Sequence, residues 1–265
     1  MKKLLVAALV ALLVVSCGNY GHSISKLKDI EFDSVTVDSV YNLTKEPNSP
    51  RISISFRILY AKGKKANIIN DSLLQSAMLG YRSISAHNNH LSFKQRIDTI
   101  ASLLIADYKD SYSDMYMLDR NNPDNYNFKC HIRTKVESFK NNIITYTANV
   151  YYRLNKELEV HLPVALNFNA TTGQLIHLDD LFVSGYQPLL NEIIEKELIE
   201  QFHAGDQAGL RKMKICAYTP IYPSENFILK KDKIIFVYEQ EEIAPHDKGE
   251  IRVAIDNEEL TKILK

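Results

Sequence analysis

Hydrophobic and polar positions alternate with a period of two along much of this chain, and elsewhere apolar residues recur every three or four. The first spacing predicts strands with one dry and one wet face, the second predicts amphipathic helices. From Arg51 to Lys62, Ile52, Ile54, Phe56, Ile58 and Tyr60 share one face and Ser53, Ser55 and Arg57 the other. Three further alternating runs follow in succession. In the first, Tyr126, Phe128, Cys130, Ile132, Thr134 and Val136 oppose Lys129, His131, Arg133 and Lys135. After an Asn141-Asn142 turn come Ile144, Tyr146, Ala148, Val150 and Tyr152. After Asn155-Lys156, Leu158, Val160, Leu162, Val164, Leu166 and Phe168 oppose Glu157, Glu159 and His161. Turns this short make the three runs an antiparallel meander. Each apolar side chain contributes roughly 1.5–3 kcal/mol when buried, and a slip of one residue would turn the whole set to water, so the register is fixed.

Before the meander, Ile30, Phe32, Val35, Val37 and Val40 predict one or two short strands. Leu74, Ala77, Met78 and Tyr81 predict a helix over 71–81. Ile97, Ile100, Leu104, Tyr108, Tyr112 and Met115 predict a longer one over 92–117. Leu190, Ile194, Leu198 and Phe202 mark another. Near the end, Ile234 to Tyr238 is an unbroken apolar run, which suits a central strand buried on both faces, and Lys231-Asp232-Lys233 supplies the turn before it. Ile251, Val253 and Ile255 alternate with Arg252 and Ala254. Asp256 with Glu259 reads as a capping box opening a terminal helix, with Leu260, Ile263 and Leu264 inward. The elements add up to a mixed α+β fold, an antiparallel meander packed under helices. A sheet covered on one side leaves its other face wet, and that face is the first candidate binding surface.

The amino terminus changes where such a domain is expected to reside. Lys2 and Lys3 precede an apolar run from Leu4 to Val15, the layout of a signal peptide and too short to span a bilayer in the usual way. Val14-Val15-Ser16-Cys17 resembles the bacterial lipobox, which predicts lipidation of Cys17 and anchoring in a membrane. The alternative is a plain secretory signal with an incidental cysteine. Gly18, Asn19 and Tyr20 include no acidic retention signal, so the outer membrane is expected rather than the inner. Residues 1–16 are then signal, 17–28 tether, and 29–125 and 126–265 the two parts of the domain. Composition adds exclusions: 32 basic residues balance 32 acidic ones among 265, leaving no net field to recruit nucleic acid.

Strong catalytic motifs are missing. The sequence holds no G-x-S-x-G and no H-E-x-x-H, and its 9 glycines form no phosphate loop, so no cofactor is expected. His87 and His90 are spaced as H-x-x-H but lack a flanking base and a third ligand, so no metal is expected either. Glu239, Glu241 and Glu242 beside His246 and Asp247 have the residue types for general acid and base work. The same cluster reads more readily as an acidic edge loop that deters strand addition. His131 and His161 lie on outward strand faces and can approach one another across the sheet. Cys130 and Cys216 are candidates for a disulfide in an oxidising compartment, with a buried free thiol at Cys130 as the alternative.

Two runs carry a family resemblance. One is Asn167-Phe168-Asn169-Ala170-Thr171-Thr172-Gly173-Gln174 followed by Leu178-Asp179-Asp180-Leu181-Phe182. The other is Glu242-Ile243-Ala244-Pro245 with Gly249-Glu250. Together they resemble the RsiV-like C-terminal domain over residues 126–265, and residues 30–117 are more loosely similar to the PdaC-type N-terminal domain. The resemblance implies a mixed α/β fold in a bacterial envelope protein that binds peptidoglycan or a lysozyme-like muramidase. A glycine-glycine-alanine-histidine turn common in the family is replaced by the hairpin YYRLNKELEVH, and no T-F-D-D deacetylase motif occurs. The expectation is a non-catalytic envelope binding module. An envelope enzyme acting on cell-wall glycan through carboxylates, or a structural assembly lipoprotein, are the alternatives.

Overall fold

The chain runs through a large sheet first and a small one second. The computed structural model describes residues 30–79, 90–139, 142–155 and 158–265. The lipidation candidate Cys17, with the signal and tether, lies outside them, as does His87. β1 (Ile30–Asn42) and β2 (Arg51–Gly63) form an antiparallel pair of 13-residue strands, so the expected one or two short strands are one long one. α1 (Ala66–Gln75) and α2 (Phe93–Leu118) then carry the chain back so that β3 (Phe128–Phe139) pairs parallel to β2. Parallel neighbours require such a crossover. β4 (Ile143–Leu154) and β5 (Leu158–Asn169) complete the meander, giving the order β1-β2-β3-β4-β5.

The second sheet follows three helices. α3 (Leu178–Leu181), α4 (Gln187–Phe202) and α5 (Gln207–Lys212) lead into β6 (Phe227–Leu229), β7 (Lys233–Tyr238) and β8 (Ile251–Asp256), which pair antiparallel in that order. The fold is mixed α+β, with antiparallel pairing dominant, as the patterns predict. Each sheet has its own core. Ile52, Ile54, Phe56 and Ile58 pack with Ile69 and Leu73 of α1 and Ile97, Ile100 and Leu104 of α2. Leu190, Ile194 and Leu198 of α4 pack with Phe236, Val253 and Ile255. The change of core falls between Leu175 and Leu178, and the large sheet joins segments on both sides of residue 126. Cys130 is buried in the first core and Cys216 in the second, neither in a disulfide, so the candidate bridge is not formed.

Side-chain amides seal the two lobes together. β7 is buried on both faces, as its apolar run predicts: Ile234, Phe236 and Tyr238 enter the second core, while Val237 meets Ile228 and Ala165 of β5. Asn167, 1% exposed, acts at this seam as a stand-in for a peptide group. Its Nδ2 donates to the Phe227 carbonyl at 2.7 Å, and its Oδ1 accepts from Leu229 N–H at 3.3 Å and Thr145 Oγ1 at 2.8 Å. Asn226 repeats the device, donating to Pro163 O and accepting from Ala165 N–H, both at 2.8 Å. Two residues on, Asn169 Oδ1 accepts from the amides of Thr171 and Thr172 at 2.9 and 3.1 Å, closing the turn. Gly173 has φ +76°, and a Cβ there would sit 2.9 Å from Lys65 Cβ and 3.0 Å from Lys65 O, so this turn tolerates only glycine without strain.

Three expectations fail for physical reasons. α1 starts at Ala66 rather than 71, because Ala66 and Ile69 already lie on its buried face, and it ends before Met78, which is buried in a tighter turn. No terminal helix follows Asp256. Its carboxylate faces Lys233 at 3.4 Å and Glu259 faces Lys196 at 3.2 Å, so both halves of the expected capping box are held elsewhere. Leu260 and Ile263 are buried all the same. The last residues run against 181–183, with Val183 N–H on Ile263 O at 2.8 Å and Lys265 N–H on Leu181 O at 2.9 Å. Separate turns, with Glu259 N–H on Asp256 O at 3.0 Å and Leu264 N–H on Leu260 O at 2.9 Å, stand there in place of a continuous helix. The start of β5 overhangs its helices, leaving Leu158 50% and Val160 37% exposed on the face expected to be dry.

Candidate functional site

The face of the large sheet away from α1 and α2 is half covered. The small sheet sits on β5 at Ala165 and Asn167, so the wet face of the meander is a window at the other end of the strands. Within it, register places Asp38, Ser55, His131, Tyr151 and His161 in one row across all five strands. The Tyr151 ring lies 5.5 Å from the His131 ring and 5.1 Å from the His161 ring, between centroids. The two histidines are therefore joined through an aromatic ring rather than directly.

Flanking rows are charged. On one side register aligns Thr36, Arg57, Arg133 and Asn149; on the other, Val40, Ser53, Lys129, Arg153 and Glu159. Arg57 grips Asp38 with both Nη atoms, at 3.0 and 2.7 Å, and Ser55 Oγ donates to Asp38 at 3.1 Å. The guanidinium, aided by the hydroxyl, holds the Asp38 carboxyl below its ordinary range. His161 Nε2 lies 3.1 Å from Glu159 Oε1. Burial lowers the pKa of His131, and the charges of Lys129 and Arg133 lower it further. Glu137 is engaged by Lys230. Among the described residues none of Arg51, Lys129, Arg133 and Lys135 has an acidic side chain within ion-pair distance. A chain of zero net charge thus carries a basic strip on one surface.

The strip deepens at the ends of β2, β3 and β4. A cleft of about 210 Å³ opens there, walled by Arg51, Ser53, Asn127, Lys129, Arg153 and Asn155. Arg153 Nε donates to Asn155 O at 3.2 Å, fixing the guanidinium plane. Asn127 Oδ1 accepts from the Arg51 amide at 3.1 Å, and Asp124, which also lines the cleft, accepts from Asn127 Nδ2 at 3.2 Å.

The acidic loop between β7 and β8 is organised differently from its sequence reading. Glu242 Oε2 accepts from Glu239 N–H at 2.6 Å, and Oε1 accepts from the Tyr222 hydroxyl. Tyr238 donates in turn to Tyr222 O at 2.6 Å. Burial, with the Glu242 charge beside it, raises the Glu239 carboxyl. His246 is exposed and is engaged elsewhere, its Nδ1 lying 3.1 Å from Gln240 Nε2 and 3.5 Å from Glu241 Oε1. Glu239 and Glu242 are brought together, and His246 does not join them. No group of three His, Cys, Asp or Glu among the described residues is placed to hold a metal. Sequence reasoning missed Tyr151, Arg51 and Arg153. Arg153 was visible as an outward position in the alternation of β4, but its meeting with Arg51 depends on the parallel β2–β3 pairing, which no local pattern announces.

The family match falls on the second lobe. Residues 179–258 match the family described as "Protein of unknown function (DUF3298)", and the chain carries that domain. Two solved structures of DUF3298 family proteins share the fold. One from Bacteroides fragilis superposes with a TM-score of 0.77 at 22% identity, covering 89% of this chain and 94% of that one. One from Pseudomonas aeruginosa PAO1 gives 0.57 at 14% identity, with the same shares of 89% and 94%. At these identities the likeness is one of fold, and it extends over both lobes. A comparison with curated proteins finds no match.

Proposed function

We propose that the protein is a lipid-anchored, non-catalytic binding module of the bacterial cell envelope, and that the window of its large sheet holds a cell-wall glycan. The observation that carries this reading is the row His131, Tyr151, His161 lying between two basic rows on an open sheet face. An aromatic ring offers a sugar an apolar face, and the flanking Ser, Asn and Arg side chains offer donors to its oxygens. The lipobox at Cys17 and the RsiV-like and PdaC-like motif resemblances support the compartment. The membrane is then a partner through the lipid alone. Glu239 and Glu242 give less support to an enzyme, because both Glu242 oxygens are already taken by internal donors.

Cosedimentation with purified peptidoglycan sacculi tests the reading. The chain is expected to be retained, and Tyr151→Ala to weaken retention about tenfold, the scale of one stacking contact with its neighbours. No retention of the unaltered chain would sink the proposal. Capture of a muramidase instead of sacculi would move the weight to a protein partner.

A further inference from the structure

The end cleft differs from the rest of the basic strip. Arg57, the arginine in the middle of the window, is closed bidentately by Asp38. Around the cleft, Arg51, Lys129 and Arg153 converge from three adjacent strands against one carboxylate, Asp124, which receives a hydrogen bond from Asn127. Among the described residues Arg153 meets the chain through its Nε alone, on Asn155 O. A guanidinium held in plane with its outer fork unspent matches the geometry of a planar two-oxygen anion. The size of the cleft also matters. At about 210 Å³ it is smaller than the roughly 300–1,000 Å³ that houses a whole small ligand, so it suits one substituent of a larger molecule.

We propose that this cleft is a carboxylate subsite, taking the acidic substituent of a sugar acid whose ring lies over Tyr151. The proposal rests on the glycan reading above for the identity of the polymer, and on the cleft alone for the anion. Lys129 and Arg153 stand in the row next to Tyr151, two residues along the strands. That separation is about 6.8 Å, within reach of an ether-linked acid on a stacked sugar ring. The Arg153 fork can grip a phosphate as well as a carboxylate, so inorganic phosphate is the control that separates the two.

Titration of the purified chain with N-acetylmuramic acid, followed by amide shifts of Ser53, Lys129 and Arg153, tests it against neutral N-acetylglucosamine and inorganic phosphate. Saturable shifts with the sugar acid, little effect of the neutral sugar, and about tenfold weaker binding in Arg153→Gln are expected. Lys129→Gln, at an exposed position, should also weaken binding and guards against misfolding of the first variant. Equal response to acid and neutral sugar, an unchanged affinity in both variants, or tighter binding of phosphate would each overturn the carboxylate subsite. Sacculus retention that persists alongside such a result leaves the glycan reading standing. Loss of sacculus retention with the sugar acid still bound removes that reading and keeps the subsite.

Discussion

Replacing Asn167 by alanine should separate the two lobes energetically. The substitution removes the donor to Phe227 O and the acceptor from Leu229 N–H in a site that is 1% exposed. Thr145 is not orphaned, because its hydroxyl also lies 3.3 Å from Leu229 O and can turn to it. Two backbone groups are therefore left unpaired, at about 1–3 kcal/mol each, giving a loss of roughly 3–4 kcal/mol once some relaxation is allowed. Against a typical domain stability of about 5–15 kcal/mol this is a large fraction. Asn226→Ala is the matched control: it removes an equivalent pair of bonds at a half-buried position, where water can replace them, and should cost about 1 kcal/mol. Urea unfolding followed by far-UV circular dichroism and tyrosine fluorescence measures both. The Asn167 variant should also lose coincidence of the two probes, as each core unfolds on its own. A cost for Asn167→Ala no greater than that for Asn226→Ala would refute the clip.

Gly173→Ala should destabilise by about 1–3 kcal/mol, since its Cβ would meet Lys65 Cβ and O at φ +76°. Gly185→Ala, at φ +79° with open space around it, should cost only about 1 kcal/mol in thermal unfolding, and equal costs would contradict the steric argument. Cys130 and Cys216 should resist alkylation in the folded chain at neutral pH and both react in denaturant, because they are buried and burial pushes the Cys216 thiol up to about 11; recovery of a bridged peptide would refute this. Folding raises the Glu239 carboxyl, so its contribution is favourable below the ordinary value of 4.5 and is lost as pH rises through the folded value. Glu239→Gln should therefore stabilise the chain at neutral pH, with the gain vanishing in acid, as read by urea midpoints across pH. His131 has a lowered pKa, so the fold favours its neutral form and loses stability as pH falls below 6.5; His131→Gln should flatten that part of the profile.

The strands were legible because each has one dry face, and the period-two alternation records it directly. The 26 residues of α2 were legible for the same reason, helped by Ser92, whose hydroxyl and backbone form a capping box with Gln95. The terminal segment misled because Asp256 and Glu259 fit a capping box equally well, and only the lysines brought near by folding, Lys233 and Lys196, decide against it. Local pattern also hides which strands are neighbours. Arg51 and Lys129 are 78 residues apart in sequence and meet only because α1 and α2 return the chain parallel to β2. The row through Tyr151 needs four registers at once, so its members read singly as ordinary outward residues.

The motif positions turn out to be consumed by structure. Asn167 clips the lobes, Asn169 and Gly173 make the turn, Asp180 accepts from His177 N–H at 2.9 Å, and Glu242 holds Tyr222. Ile243 is buried and its carbonyl accepts from Cys216 N–H at 2.7 Å. Each of these contacts is internal to the fold. The window and cleft, by contrast, are built from residues between Thr36 and His161, entirely outside the matched stretch 179–258. Strand surfaces facing water carry little of the folding energy, so residues there can change without disturbing either core. A match over 179–258 therefore predicts the second core and its seam, and it leaves the ligand to be read from the open sheet of each chain.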